Sequence, residues 1–165
     1  MATIAEPRDL FVTALTEMLY VEQKQADEVL PQLEKEIQTP EFKQGIQKHI
    51  EETQQHAERI ERVFELLGEQ AKPDKSHSLD GLIAQREKVS KNIESDDVLE
   101  VFNAAAAAKT EHLEIAAYES MIMTAEALGQ SEIVDLLEEN LADEKETLKE
   151  VEKISEKLSK QRATA

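Results

Sequence analysis

The stretch that decides the fold is residues 97–128, DVLEVFNAAAAAKTEHLEIAAYESMIMTAEAL. It contains no glycine or proline, and its apolar residues recur at the three- and four-residue spacing of an amphipathic α-helix. Ser95, Asp96 and Asp97 form a start signal, since acidic residues there complement the helix dipole, and Gly129 is a good stop signal. This stretch is therefore predicted to be one long helix.

The rest of the chain divides in the same way, because its few glycine and proline residues stand between helical patterns. The predicted helices cover residues 9–37, 41–67, 79–93, 97–128 and 132–158. Pro31 is expected to kink the first helix because proline lacks an N–H donor. Ser78 is expected to cap the short third helix, which lies in a long crossover.

This order of elements predicts an all-α fold without strands. Two helical hairpins joined by one long connection are the ferritin-like arrangement. We therefore expect an antiparallel four-helix bundle whose long crossover carries a short fifth helix. The length of 165 residues fits one such domain over residues 1–165.

Composition excludes several classes of protein and partner. The net charge of −17 repels phosphate backbones, so no nucleic-acid partner is expected. No apolar stretch approaches the roughly 20 residues that span a bilayer, so no membrane partner is expected. Residues 1–9 lack the features of a secretory signal, and a cytoplasmic location is the expectation. Because cysteine is absent, any metal must be held by oxygen and imidazole ligands.

Ionisable residues interrupt the apolar face of every long helix. The candidate metal ligands are Glu22 on the first, His49, Glu52 and His56 on the second, Glu111 and Glu114 on the third, and Glu144 on the fourth. At 1.5 Å per residue, counting from the two short turns brings the carboxylates to similar heights near mid-bundle. Unpaired buried carboxylates are costly, and the apolar faces offer few cations to neutralise them. Convergence at one site is the simplest explanation. Carboxylates with imidazole match the ligand set of paired metal ions, and two iron ions, with manganese as the alternative, are expected there.

The predicted chemistry is redox chemistry on those ions. In this hypothesis two Fe(II) ions bind between the helices, and O2 or H2O2 is reduced there. Tyr118 lies two turns from Glu111 on the same face and is a candidate catalytic group, as a hydrogen-bond donor or electron relay. The alternative is a core tyrosine with its hydroxyl at the bundle edge.

Two other classes of function stand beside this hypothesis. The Glu-x-x-His pairs of di-iron bundles are absent, which favours a non-enzymatic helical-bundle protein whose central polar residues are structural. A lipid-surface protein is disfavoured, because it would carry basic residues beside its apolar face and no glutamates in the middle of it.

Three segments carry a resemblance to a known family: residues 49–53 (HIEET), residues 111–115 (EHLEI) with Tyr118, and residues 143–145 (DEK). Over residues 9–155, with the same order and the same crossover, the sequence resembles the YciE/YciF stress-protein group of the ferritin-like superfamily. The resemblance implies a homodimer with a dimetal-carboxylate site and a role in stress, as a ferroxidase or a peroxide-reducing oxidoreductase. By position it implies one carboxylate per helix, at Glu22, Glu52, Glu111 and Glu144. His49 matches the group's histidine, whereas His56 stands where glutamine is more usual, and the choice between the two histidines stays open.

Overall fold

The computed structural model describes residues 4–163, so residues 1–3 and 164–165 of the predicted domain lie outside the described part. The helices are α1 (Pro7–Lys24), α2 (Leu30–Glu36), α3 (Pro40–Leu67), α4 (His77–Ser90), α5 (Asp96–Ala127) and α6 (Ser131–Ala163). A π-helical turn, Gln25–Val29, joins α1 to α2. Residues 4–163 contain no strand, and the predicted all-α fold is confirmed.

Four long helices form the bundle, with α1, the π-helical turn and α2 together making the first of them. This first helix contacts α3 and α5, and α6 contacts α3 and α5, which closes the ring. The short turn at Gly129, where φ is 71°, reverses the chain between α5 and α6. The short helix α4 lies in the crossover and packs on α5. The ferritin-like arrangement with a short crossover helix is therefore as predicted.

Two separate apolar cores fill the ends of the bundle. The first contains Phe11, Leu15, Ile60, Tyr118 and Leu137 among its buried residues. The second contains Leu33, Ile37, Phe42, Ile46, Ala104, Ile154 and Leu158. On each long helix the candidate ligands lie in the interval between these two sets. The polar middle of the bundle is therefore enclosed by apolar side chains above and below.

The first predicted helix, 9–37, is not a continuous α-helix. Pro31 has no N–H group, and the irregularity extends upstream of it as the π-helical turn, in which the Leu30 N–H donates to the Gln25 carbonyl. Gln25 and Ala26 are the buried residues of this turn. The expected kink at Pro31 thus takes the form of a local change of helix type.

Two other predicted helices need corrected bounds. The crossover helix begins at His77 and ends at Ser90, where 79–93 was predicted, because Ser76 and not Ser78 is its N-cap and accepts from the Leu79 N–H. The last helix runs to Ala163, past the predicted end at 158. Neither glycine nor proline stops it, and Lys157 forms an ion pair with Glu41 of α3.

The helices within residues 4–163 were compared with the length and hydropathy of a membrane span. None of them combines the length and the apolar character that a membrane span requires.

Candidate metal centre

Two groups of buried ligand atoms lie at mid-bundle and share one residue. We call them group one, which consists of His49, Glu111, Glu114 and Glu144, and group two, which consists of Glu22, His56 and Glu144. Within each group the ligand atoms lie within 4.8 Å of one another. All six side chains are at most 2% exposed. The structure thus brings together six of the seven ligands expected from the sequence.

Group one is arranged around His49 of α3. Its Nε2 lies 3.4 Å from Glu111 Oε1 and 3.9 Å from Glu144 Oε2. On the other side of the ring, Nδ1 lies 3.3 Å from the Thr147 hydroxyl. Contacts on both ring nitrogens fix the orientation of the imidazole, as they do for histidines that bind metal ions.

Group two is arranged around His56, two turns further along α3. Its Nδ1 lies 3.0 Å from Glu144 Oε1 and 3.5 Å from Glu22 Oε2. Its Nε2 lies 3.3 Å from Asp143 Oδ2, and Asp143 in turn lies 3.5 Å from Arg59. Both histidines left open by the sequence therefore face the carboxylates, one in each group.

Tyr118 belongs to the same cluster. Its hydroxyl donates to Glu22 Oε1 and accepts from Asn140 Nδ2 at 2.9 Å. Asn140 also donates to the His56 carbonyl, and its Oδ1 accepts from Arg59. Tyr118 is 0% exposed, so its hydroxyl lies inside the bundle and not at the edge.

Glu52 is the predicted ligand that lies outside both groups. Its Oε1 forms an ion pair with Lys48 at 3.0 Å, and its Oε2 lies 4.0 Å from His49 Nδ1. The side chain is 17% exposed, although Oε2 itself is buried without a hydrogen-bond partner in residues 4–163. Glu52 therefore stands beside group one, and its role as a ligand stays a prediction.

Sequence reasoning missed several residues that support the ligands. Gln25 Nε2 lies 3.4 Å from both carboxylate oxygens of Glu114, and Asn140, Asp143 and Thr147 make the contacts described above. A signal for most of them exists. Gln25 follows Glu22 by three residues, Thr147 follows Glu144 by three, and Asn140 precedes Glu144 by four. On a helix these spacings place each polar residue on the same face as its neighbouring ligand.

The titration behaviour of the cluster follows from burial and mutual charge. Burial lowers the pKa of both histidines, but the neighbouring carboxylates outweigh it and raise the pKa of His49 to about 9 and that of His56 to about 10. Burial, with the charges of the other glutamates, raises the pKa of Glu114 well above its usual value. Burial also raises the pKa of Glu144, to about 8. For Glu111 burial is outweighed by His49, and the pKa is lowered.

The polar atoms of the cluster are incompletely satisfied by the protein. Within residues 4–163, the buried atoms without a hydrogen-bond partner include Glu22 Oε2, Glu111 Oε2, both carboxylate oxygens of Glu144, and His56 Nδ1. The close approach of His56 to Glu144 lacks hydrogen-bond geometry. Buried acceptors without donors are costly, and a cation between them removes that cost. Carboxylate oxygen with imidazole nitrogen suits iron, manganese or zinc, so the residues fit a metal ion in each group.

Comparison with known proteins gives consistent matches along the chain. Residues 6–164 match a family described as a domain of unknown function, DUF892. Protein YciF of Escherichia coli (strain K12) is 34% identical over 140 residues, which is 84% of each sequence. The crystal structure of the E. coli stress protein YciF superposes with a TM-score of 0.89 at 28% identity, covering 95% of this chain and 99% of that one. YcfI from Rhodopseudomonas palustris superposes with a TM-score of 0.88 at 32% identity, covering 92% and 96%.

Proposed function

The chain belongs to the DUF892 family, and from this premise we propose that it is a dimetal-carboxylate protein that oxidises Fe(II) with O2 or H2O2 in stress protection. The association with stress is taken from the E. coli stress protein YciF, which the chain resembles in sequence and in structure. Iron is proposed as the metal, with manganese as the alternative.

The observation that carries the proposal is the position of Glu144 between two ligand groups. One of its oxygens faces His49 and the other faces His56, and neither has a hydrogen-bond partner within the described residues. A carboxylate shared between two groups, each completed by a histidine and at least one further glutamate, is the ligand arrangement of a dimetal centre. A single metal ion would leave one of the two groups uncompensated.

Each residue has a defined part in this centre. His49, Glu111 and Glu114 would hold one ion, Glu22 and His56 the other, and Glu144 would contact both. Two Fe(II) ions would supply one electron each. With two protons, these electrons reduce O2 to H2O2, or H2O2 to two water molecules. The apolar cores on both sides exclude bulk water, which strengthens the electrostatic interactions of the charged groups inside.

Tyr118 holds Glu22 from outside group two. Its hydroxyl donates to Glu22 Oε1, which leaves Oε2 of the same carboxylate facing His56. This contact orients one ligand oxygen and places a redox-active phenol beside the centre. We therefore propose that Tyr118 positions Glu22 and passes electrons.

Elemental analysis tests the proposal directly. Protein loaded anaerobically with Fe(II) or Mn(II) and then desalted should retain about two metal ions per chain, as dimetal bundles do. Glu144→Gln should lose most of the metal, whereas Glu146→Gln, an exposed residue on the same helix, should retain it. An unaltered metal content in Glu144→Gln, with circular dichroism showing intact helices, would refute the dimetal centre.

A non-enzymatic helical bundle is the second candidate function. It is favoured by the raised pKa of both histidines, because His49 and His56 in their charged form neutralise part of the carboxylate charge without a metal. The absent Glu-x-x-His pairs point the same way. Negligible metal retention by the wild-type protein, with a stable helical fold, would support this alternative.

The quaternary structure and the location are also proposals. We propose that the chain forms one ferritin-like domain over residues 1–165 and that two copies form a homodimer, as the family resemblance implies. We also propose that the protein is cytoplasmic. Sedimentation velocity tests the dimer, and cell fractionation tests the location. A monomer at micromolar concentration would contradict the proposed homodimer.

A further inference from the structure

A pocket of about 90 Å³ lies beside group one, on the side of the bundle that the crossover helix covers. Its apolar wall includes Leu30 and Leu33 of α2, Leu79, Leu82 and Ile83 of α4, and Phe102 of α5. Glu111 and Gln25 also line it, so the pocket reaches the metal ligands.

Glu111 and the π-helical turn lie between the pocket and group one. Glu111 is 2% exposed, and its Oε2 has no hydrogen-bond partner in the described part of the chain. Gln25 opens the π-helical turn and lies against Glu114, and Val29 at the end of that turn lines the pocket too. Short π-helical turns occur frequently at functional sites. Here the turn forms part of the wall between the pocket and group one.

Arg86 and Asn103, two polar residues of the wall, are already paired with protein groups. Arg86 forms an ion pair with Glu36, and its Nε and Nη2 donate to Asn103 Oδ1 at 3.2 and 2.9 Å. The Thr110 hydroxyl donates to the Ala106 carbonyl, and Gln85 and Lys109 are exposed and lie at the protein surface. A guest inside the pocket therefore meets mainly apolar side chains and gains little from carrying a charge.

The volume limits the size of the guest. An engineered apolar cavity of about 150 Å³ in another protein holds benzene or xenon, and a single water needs about 10–15 Å³. A pocket of about 90 Å³ accommodates a molecule smaller than benzene. Hydrogen peroxide would have to give up hydrogen bonds to water on entering, whereas O2 has none to lose.

We propose that this pocket binds O2 and delivers it to the Glu111 side of the metal centre, and that its apolar wall favours O2 over H2O2. The inference rests on the proposed function, and it names O2 as the oxidant that enters through this pocket. It follows from the apolar wall, the small volume, the paired Arg86 and the position of Glu111 at the inner end.

Xenon is the probe for the pocket in the metal-free protein. Dissolved xenon should cause saturable chemical-shift changes at amides of α2, α4 and α5 next to the pocket. Ala107→Leu and Ala106→Leu, which enlarge two side chains in the wall, should abolish these changes. Ala105→Leu makes the same change at an exposed neighbour outside the wall and should leave them intact. Circular dichroism identifies any variant that fails to fold, and two filling variants keep the test decisive.

Oxidation of bound Fe(II) tests delivery of the oxidant. In Ala107→Leu the rate with O2 should fall by about tenfold or more, whereas the rate with H2O2 should stay within about twofold. The metal content should equal that of the wild type. Equal slowing with both oxidants, or no slowing with O2, would overturn the inference.

The two proposals fail in different ways. A wild-type protein that loads metal normally but shows no xenon response at the pocket overturns the inference alone. A protein that responds to xenon but retains no metal overturns the proposed function, and delivery of O2 with it.

Discussion

His56 Nδ1 lies 3.0 Å from Glu144 Oε1, and both side chains are 0% exposed. Glu144 also lies 3.9 Å from His49, so this one carboxylate from α6 links the two histidines of α3. The link makes the two ligand groups parts of one centre. It also means that different glutamates should affect metal binding to different extents.

The number of metal ions that the protein retains should depend on which ligand is replaced. Glu22→Gln removes a ligand of group two only, and Glu114→Gln removes one of group one only. Each should lower the retained metal from about two ions to about one, since the other group is intact, whereas Glu144→Gln should approach none. Elemental analysis after desalting measures this. Equal losses in all three variants would show that the groups do not act as two separate sites.

The stability of the metal-free protein should fall as the pH rises from 7 to 9. His49 has its pKa raised from 6.5 to about 9, so its stabilising contribution is complete below pH 6.5 and is lost as the pH rises through 9. Glu144, raised from 4.5 to about 8, and His56, raised to about 10, act in the same direction. Thermal unfolding at several pH values measures the slope.

Two histidine variants and the binding of Mn(II) test the origin of this pH dependence. His49→Gln should flatten the slope, while His112→Gln, a change at an exposed histidine, should not alter it. Binding of Mn(II) requires deprotonated ligands, so the increase in Tm that it causes should grow between pH 6 and 8. A Tm of the metal-free protein that rises over pH 7–9 would contradict the assigned protonation states.

Tyr118→Phe should destabilise the protein and slow the reaction without removing metal. It leaves Glu22 Oε1 without its donor and removes one of the two acceptors of Asn140 Nδ2, the other being the His56 carbonyl. An unsatisfied buried polar group costs about 1–3 kcal/mol. Urea unfolding measures this loss, and stopped-flow absorbance measures Fe(II) oxidation. Tyr20→Phe, which removes a partly buried hydrogen bond to Asp80, is the matched control. An unchanged oxidation rate in Tyr118→Phe would leave the tyrosine a structural role only.

Glu100 should be a stabilising residue at the corner between α2 and α3. Its carboxylate accepts from the backbone N–H groups of Gln38 and Thr39 and from the Thr39 hydroxyl, at 2.6 to 2.9 Å. Glu100→Ala should cost about 2–3 kcal/mol of unfolding free energy, because hydrogen bonds to charged groups are strong. Glu119→Ala on the same helix breaks only a surface ion pair with Lys145 and should cost less than about 1 kcal/mol. Similar losses in both variants would show that the corner does not depend on Glu100.

Helix order and the polar middle of the bundle could be predicted from the sequence because both are local properties. Apolar spacing, glycine stops and start signals act within a few residues, so they identify each helix and its inward face without reference to the others. A glutamate at the centre of an apolar face is visible in the same way. This is why the amino-acid pattern alone identifies Glu22, Glu111, Glu114 and Glu144 as inward-facing.

Contacts between helices could not be predicted at the same level of detail. Whether Glu52 or His56 faces the centre depends on the rotation of α3 about its axis, and a difference of four residues turns a side chain by only about 40°. The structure places His56 inside and leaves Glu52 beside Lys48. The role of Glu100 was missed because its partners, Gln38 and Thr39, belong to another part of the chain.

The sequence by itself determined the order of the four long helical segments and the crossover helix, and the residues that face inward. Helical periodicity and the start and stop signals of a helix depend on neighbouring residues. The tertiary structure alone decided which of those residues meet. It places Glu144 between His49 and His56, and it brings the π-helical turn, α4 and α5 together around one pocket. These relationships depend on the packing of separate helices, in which small rotations and shifts change every contact.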